Sequence, residues 1–337
     1  MRPLRPLSPV LAIALAVTAC AGPAGRADPT SDGSWGFSPA PVGTPYPTSP
    51  SAEPSTAAPT DAPDETAAAL MVSTAVWADG GPVLVAVVGE DGSSAVGPGA
   101  TASIAMTPLD GSGPTIRADA VIVASEGSDR EVVYADLAPG RTGRWRLDVE
   151  AIDTGRTIRA TTEVDVLDSG ATPRVGTRAP DVTTPTLADV GGTIALVTTD
   201  PQPDPRLSTR SVADARTARL PYVLVIDSWR FRVSTACGRA IPLARYLADK
   251  WGDAVVFVHL EPFHYSLVST TPVLDTPDGT PRLTPIAQAW GMGEGPWPLE
   301  AMPWAFVVDG DGVVRSKVTG VFGTDEIDLV LTRIADG

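Results

Sequence analysis

From Arg144 to Ala151 the chain alternates strictly: Trp145, Leu147, Val149 and Ala151 are apolar, and Arg144, Arg146, Asp148 and Glu150 between them are charged. A period of two sends one row of side chains into a core and the other into water, so this is a half-buried strand. Asp153-Thr154-Gly155 supplies a turn, and Ile158, Ala160, Thr162, Val164 and Val166 then alternate in the same way. The two runs predict a hairpin. Shorter strand signals precede it over Met71–Trp77, Val83–Val88, Thr101–Met106, Thr115–Val123 and Glu131–Leu137, with no helix-length amphipathic run between them. This density of strands predicts an antiparallel, Ig-like β-sandwich over residues 69–168. The stretch has no histidine or cysteine, so an adhesive, spacing or docking role is its plainest reading.

Beyond a linker at 169–177 the pattern changes. Tyr222–Ile226 and Ala254–Leu260 are nearly continuous apolar runs, the signature of strands covered on both faces. Between them Ile241, Leu243, Ala244, Leu247 and Ala248 recur at helical spacing, which makes a β-α-β unit with parallel strands. Ser211-Val-Ala-Asp214 reads as a capping box that opens another helix. Gly310-Asp311-Gly312 separates two strand-like runs as a hairpin turn. A last helix, opened by Thr324, carries Ile327, Leu329, Val330, Leu331 and Ile334. Residues 178–337 therefore predict an α/β sandwich.

The first residues follow neither pattern. Two arginines precede the apolar run Val10–Val17, which is too short to span a bilayer but suits a signal segment. It ends in Val17-Thr18-Ala19-Cys20, which resembles the bacterial lipobox. The resemblance implies cleavage after residue 19, acylation of Cys20 and anchoring on the extracytoplasmic face of the cell membrane. Residues 20–68, rich in Pro, Ser, Thr and Ala, read as an extended tether. The chain carries 40 acidic against 25 basic residues, a balance that argues against nucleic-acid binding. With Cys20 lipidated, Cys237 is the one remaining thiol, and no intrachain disulfide can form.

The order of elements, together with Gly176–Pro180, Trp290-Gly291, Pro303-Trp304 and Val307-Val308-Asp309, resembles the thioredoxin-like domains of membrane-anchored bacterial lipoproteins related to thiol–disulfide oxidoreductases. The resemblance covers residues 176–337 and implies a three-layer α/β/α thioredoxin fold. On its active-site segment, Phe231 keeps the aromatic position. Arg232 stands where the attacking cysteine belongs, Cys237 falls at the resolving position before Gly238, and Arg239 replaces a proline. Dithiol exchange needs a second thiol to resolve the mixed disulfide, so this chain is expected not to cycle electrons unaided.

Two readings of Cys237 stay open: an inert small apolar residue, or a thiolate supported by the helix N-terminus and by Arg232 or Arg239. By the same resemblance Met302-Pro303 is a cis-proline loop with backbone groups free for an extended peptide, and Asp227 a buried carboxylate beside the site. His259 reads as a core histidine. A pairing of Cys237, His264 and Met302 makes a poor soft-metal site, so neither metal nor cofactor is implied. Trp290, Trp297 and Trp304 read as packing. The function expected is a lipid-anchored module that docks a protein or peptide partner, with a single-cysteine oxidoreductase as the alternative.

Overall fold

The computed structural model describes residues 64–124, 130–265, 282–293 and 301–336. The first half holds β1 (Glu65–Met71), β2 (Val76–Trp77), β3 (Gly81–Val88), β4 (Thr101–Pro108), β5 (Ile116–Ala124), β6 (Glu131–Leu137), β7 (Gly143–Asp153) and β8 (Arg156–Leu167). Neighbouring strands run in the order β1-β3-β6-β5-β4-β7-β8, and β1 pairs again with β8, in parallel, to close the ring. The expected antiparallel β-sandwich is therefore corrected to a closed, mixed seven-strand barrel, with β2 added in parallel to β8.

The closing strand explains the difference. ETAAALM is too weakly apolar to read as a strand, and it starts inside the stretch assigned to the tether. Yet its backbone meets both open edges: Ala68–Met71 pair with Val85–Val88, and Glu65–Ala68 with Ile158–Thr161. Closure removes the unpaired edges that a sheet otherwise exposes. Arg156 Nη1 reaches Glu65 Oε2 at 2.6 Å across the closing seam. The interior is filled by Val83, Val85, Ile104, Met106, Leu147, Val149 and Ile158, so the barrel is a packed core without a lumen.

The second half holds α1 (Val212–Ala218), β9 (Tyr222–Ile226), α2 (Ala240–Trp251), β10 (Val256–Leu260), α3 (Pro285–Ala289), β11 (Trp304–Val308), β12 (Val314–Thr319) and α4 (Asp325–Asp336). Its sheet runs β10-β9-β11-β12, parallel between β10 and β9 and antiparallel elsewhere. The Ser211/Asp214 capping box forms as read, with each side chain accepting from the other residue's backbone N–H. One face of the sheet is covered by α2 and α4, through Ile241, Ala244, Leu247, Ile327 and Leu331.

The opposite face is where the three-layer α/β/α thioredoxin expectation fails. Helix α1 has seven residues and α3 five, too few for a second helical layer. Leu224, Ile226, Val258, Trp304 and Phe306 are covered instead by Phe263, Trp290, two residues of α1 and the barrel's own Trp77. The protein is thus mostly β, with a barrel and a small four-strand sheet.

Barrel and sheet belong to one compact unit. Trp77 stacks on Trp304 with centroids 5.6 Å apart and donates from Nε1 to the Lys317 carbonyl at 3.0 Å. The Lys317 ammonium lies 4.8 Å above the Trp77 ring. Its donors reach Ser169 Oγ at 2.5 Å, the Pro173 carbonyl at 3.1 Å, and Asp79 Oδ2 and Thr172 Oγ1 at 3.3 Å. Burial pulls this lysine down to about 8, against the opposing pull of Asp79. On α4, Glu326 Oε2 accepts from Thr74 N at 2.8 Å and Thr74 Oγ1 at 3.2 Å.

Candidate functional site at the entrance to α2

Strand β9 ends at Ile226, and the chain delivers Asp227 beneath the first turn of α2. Helix starts leave backbone N–H groups without partners, and here the carboxylate takes them. Asp227 accepts from Gly238 N at 2.9 and 3.0 Å, from Ala240 N at 3.3 Å, and from Ser228 N at 2.7 Å. The side chain is fully buried, and burial pushes its carboxyl up to about 6, while these donors pull it back. Position 238 requires glycine on two counts. Its φ is +82°, and a Cβ there would stand 2.8 Å from Trp229 Cε3.

Cys237 packs directly above. It is the free cysteine among the described residues and only 1% exposed. Its Sγ lies 3.5 Å from Ser234 Oγ and 3.8 Å from the Met302 carbonyl, which also accepts from Ser234 Oγ at 2.6 Å. The Met302–Pro303 peptide is cis, and both residues are buried. The Pro303 carbonyl accepts from Gly320 N at 3.0 Å. The expectation of free backbone groups at this proline is corrected for the two carbonyls, since both already have donors.

Arg232 is exposed and turns to Trp229: its guanidinium carbon lies 4.9 Å from the indole centroid and its Nε donates to the Trp229 carbonyl at 3.2 Å. Of the supports expected for a Cys237 thiolate, the Gly238 and Ala240 N–H groups at the helix entrance are taken by Asp227 and Arg232 is held on the indole, while Arg239 is exposed. Phe231 is buried, edge-on to Phe263 at 6.2 Å. The structure thus brings Asp227, Phe231, Cys237, Gly238 and Met302 into one packed cluster and leaves Arg232 and Arg239 at its surface. Cys20 and Trp297 lie outside the described residues.

A buried polar layer lies behind this cluster; the sequence reading placed His259 in the core but missed Thr199, Asp200, Arg245 and Glu261. His259 Nε2 donates to the Asp227 carbonyl at 2.9 Å, and burial holds this imidazole below its usual range. Glu261 Oε2 accepts from Thr199 Oγ1 at 2.5 Å, and burial pushes its carboxyl up to about 7. Asp200 pairs with Arg245 at 3.0 Å. The available signal was an acidic residue placed immediately after the fully buried strand β10. Trp290 packs on Phe306 at 4.8 Å and Trp304 on Phe306 at 5.8 Å, so both are core residues.

In front of the layer lies a hollow of about 400 Å³, lined by Thr199, Pro201, Pro203, Trp229, Arg230 and Tyr265 among others. Its walls are tied together: Tyr265 OH donates to the Ala195 carbonyl at 2.6 Å and Arg230 N to Thr199 Oγ1 at 3.2 Å. Among the described residues no group of His, Cys, Asp and Glu is arranged to hold a metal ion, and no helix is long and apolar enough to cross a membrane. No protein-family model and no curated protein matches the chain.

Proposed function

We propose that this protein is a lipid-anchored extracytoplasmic module that carries out no dithiol exchange and acts by docking a protein or peptide partner. The burial of Cys237 carries the redox-silent part of this reading. A thiol attacks a disulfide as an exposed thiolate approaching along the sulfur axis. Here the sulfur is enclosed by Ser234 and Met302, and no second thiol stands among the described residues to resolve a mixed disulfide. The alternative, a single-cysteine oxidoreductase, requires access that this packing withholds.

In the native protein Cys237 is expected to label with a disulfide reagent at least about 100-fold more slowly than in denaturant, since labelling must wait for local opening. Insulin reduction with dithiothreitol is expected to run at the rate of the reductant alone. Rapid native labelling, or clear acceleration lost in Cys237→Ser, overturns the reading.

The anchoring half rests on the lipobox resemblance at Val17–Cys20. Cys20→Ala is expected to move the chain from the membrane to the soluble fraction, checked by fractionation and immunoblot. A membrane fraction of unchanged size removes the anchor from the proposal.

A further inference from the structure

We infer that the hollow walled by Trp229, Arg230 and Tyr265 is the docking surface for an extended acidic segment of the partner, an inference that rests on the docking reading above. Charge is the first argument. The chain has a net charge of −15, and many of its arginines close on carboxylates, as do Arg141, Arg206, Arg216, Arg245 and Arg315. The segment 229–239 instead gathers three that do not within eleven residues. It contains Arg230, Arg232 and Arg239, no acidic residue, and all three arginines are exposed. None of them closes an ion pair with a described residue, although carboxylates outnumber cations by 40 to 25 in the chain. Asp200, the acidic residue of the hollow's wall, is buried and already taken by Arg245.

Pre-organisation is the second. The Trp229 indole fixes the Arg232 guanidinium 4.9 Å above it, Nε is spent on the Trp229 carbonyl, and the side chain as a whole is exposed. A held, planar fork recognises a carboxylate with two parallel hydrogen bonds at less entropic cost than a free side chain. Arg230 is anchored through its backbone N–H to Thr199 and lines the hollow itself.

Shape is the third. Walls of Trp229, Tyr265, Pro201 and Pro203 give a rigid aromatic and proline surface of the kind that takes up an extended or polyproline segment. A concavity of about 400 Å³ suits a few residues of peptide. It does not suit a flat anionic membrane, which would also repel a chain of charge −15. The larger cleft of about 950 Å³ along the barrel–sheet seam lacks this character, because its lining sets Asp79, Asp136, Asp309 and Asp311 against Arg219, Arg315 and Arg333.

The test uses the full chain in its Cys20→Ala form, so that no lipid contributes, and a fluorescein-labelled (Glu-Pro)5 peptide as probe. A saturable rise in anisotropy is expected at low salt, weakened at least ten-fold by Arg230→Glu/Arg232→Glu and by added salt, and absent with (Lys-Pro)5. Arg144→Glu/Arg146→Glu on the barrel surface is expected to bind like the parent chain, and each variant is checked for the parent's thermal transition. No saturable binding, or binding unchanged in Arg230→Glu/Arg232→Glu, overturns the inference. So does sedimentation with phosphatidylglycerol vesicles that is lost in the same variant, which would make the surface a membrane contact. A chain that fails this titration while Cys237 stays protected loses the groove and keeps the redox-silent reading. Turnover through Cys237 with intact peptide binding does the reverse.

Discussion

Trp77→Ala is expected to destabilise barrel and sheet together, by roughly 3–5 kcal/mol, the range for removing a buried aromatic side chain. Trp77 is 3% exposed and belongs to the apolar cluster of the small sheet rather than to the barrel interior. The substitution removes the stack on Trp304 and the donor to the Lys317 carbonyl, and it leaves the Lys317 ammonium without its aromatic ceiling. It also opens a void in a seam where Ser169, Thr172 and Asp79 are fixed by the same lysine. Calorimetry of parent and variant is the check. A single transition is expected in both, lowered in the variant by about 2–4 °C for each kcal/mol. Two resolved transitions, with only one displaced, would show that the seam does not couple the halves.

That seam marks the limit of what the sequence displays. Strands β3 to β8 were legible because their apolar residues alternate or cluster over five or more positions, and the α1 capping box because Ser211 and Asp214 stand three apart. Strand closure was not legible. Whether seven strands make two packed sheets or one ring depends on what pairs with the outer strands, and β1 shows only Ala, Thr, Glu, Leu and Met to a pattern search. The layer arrangement of the second half was hidden for a related reason. The side chain that covers Trp304 is Trp77, 227 positions earlier in the chain (304 − 77), and no local periodicity reports such a contact.

The candidate site divides along the same line. Cys237, Gly238, Met302 and Asp227 could be picked out from local motifs, and the structure does pack them together. Their chemistry could not be picked out. It is set by Ser234 and Met302 closing over the sulfur and by Trp229 capturing Arg232. Motif matching names the residues at a position, whereas solvent access and partner choice decide what they do.

The second large effect expected is acid stabilisation: thermal stability should be higher near pH 5 than near pH 8. Three carboxylates are held above their ordinary range, in each case chiefly by burial: Asp227 up to about 6, Glu261 up to about 7 and Glu326 up to about 7. A carboxyl whose folded pKa is raised binds its proton more tightly in the folded than in the unfolded state. The contribution of these three groups therefore falls as pH rises from the unfolded value, near 4, through the folded one, near 7, and is constant above it. The three raised carboxyls outnumber the one lowered imidazole, His259, that opposes them beside Asp227. Asp227 faces the Gly238 and Ala240 N–H groups and the more distant Arg232, Glu261 faces Thr199 and Asp227, and Glu326 faces Thr74, Gly323 and Asp325. Two buried bases act in the opposite sense: His259, held below 6.5 by burial, offsets part of the fall on the acid side, and Lys317, lowered to about 8 from 10.5, makes stability turn upward from about pH 8. Asp204 and Asp214 are held below 3.8 by their hydrogen bonds, so their contribution erodes only in stronger acid. Each pKa unit corresponds to about 1.4 kcal/mol, so the three groups together command several kcal/mol. Calorimetric scans at half-unit steps from pH 4.5 to 8.5 are the check, with Glu261→Gln and Glu326→Gln each expected to flatten part of the slope. A transition temperature that is constant or rises between pH 5 and pH 8 would mean that these carboxylates are solvated or compensated in the native state.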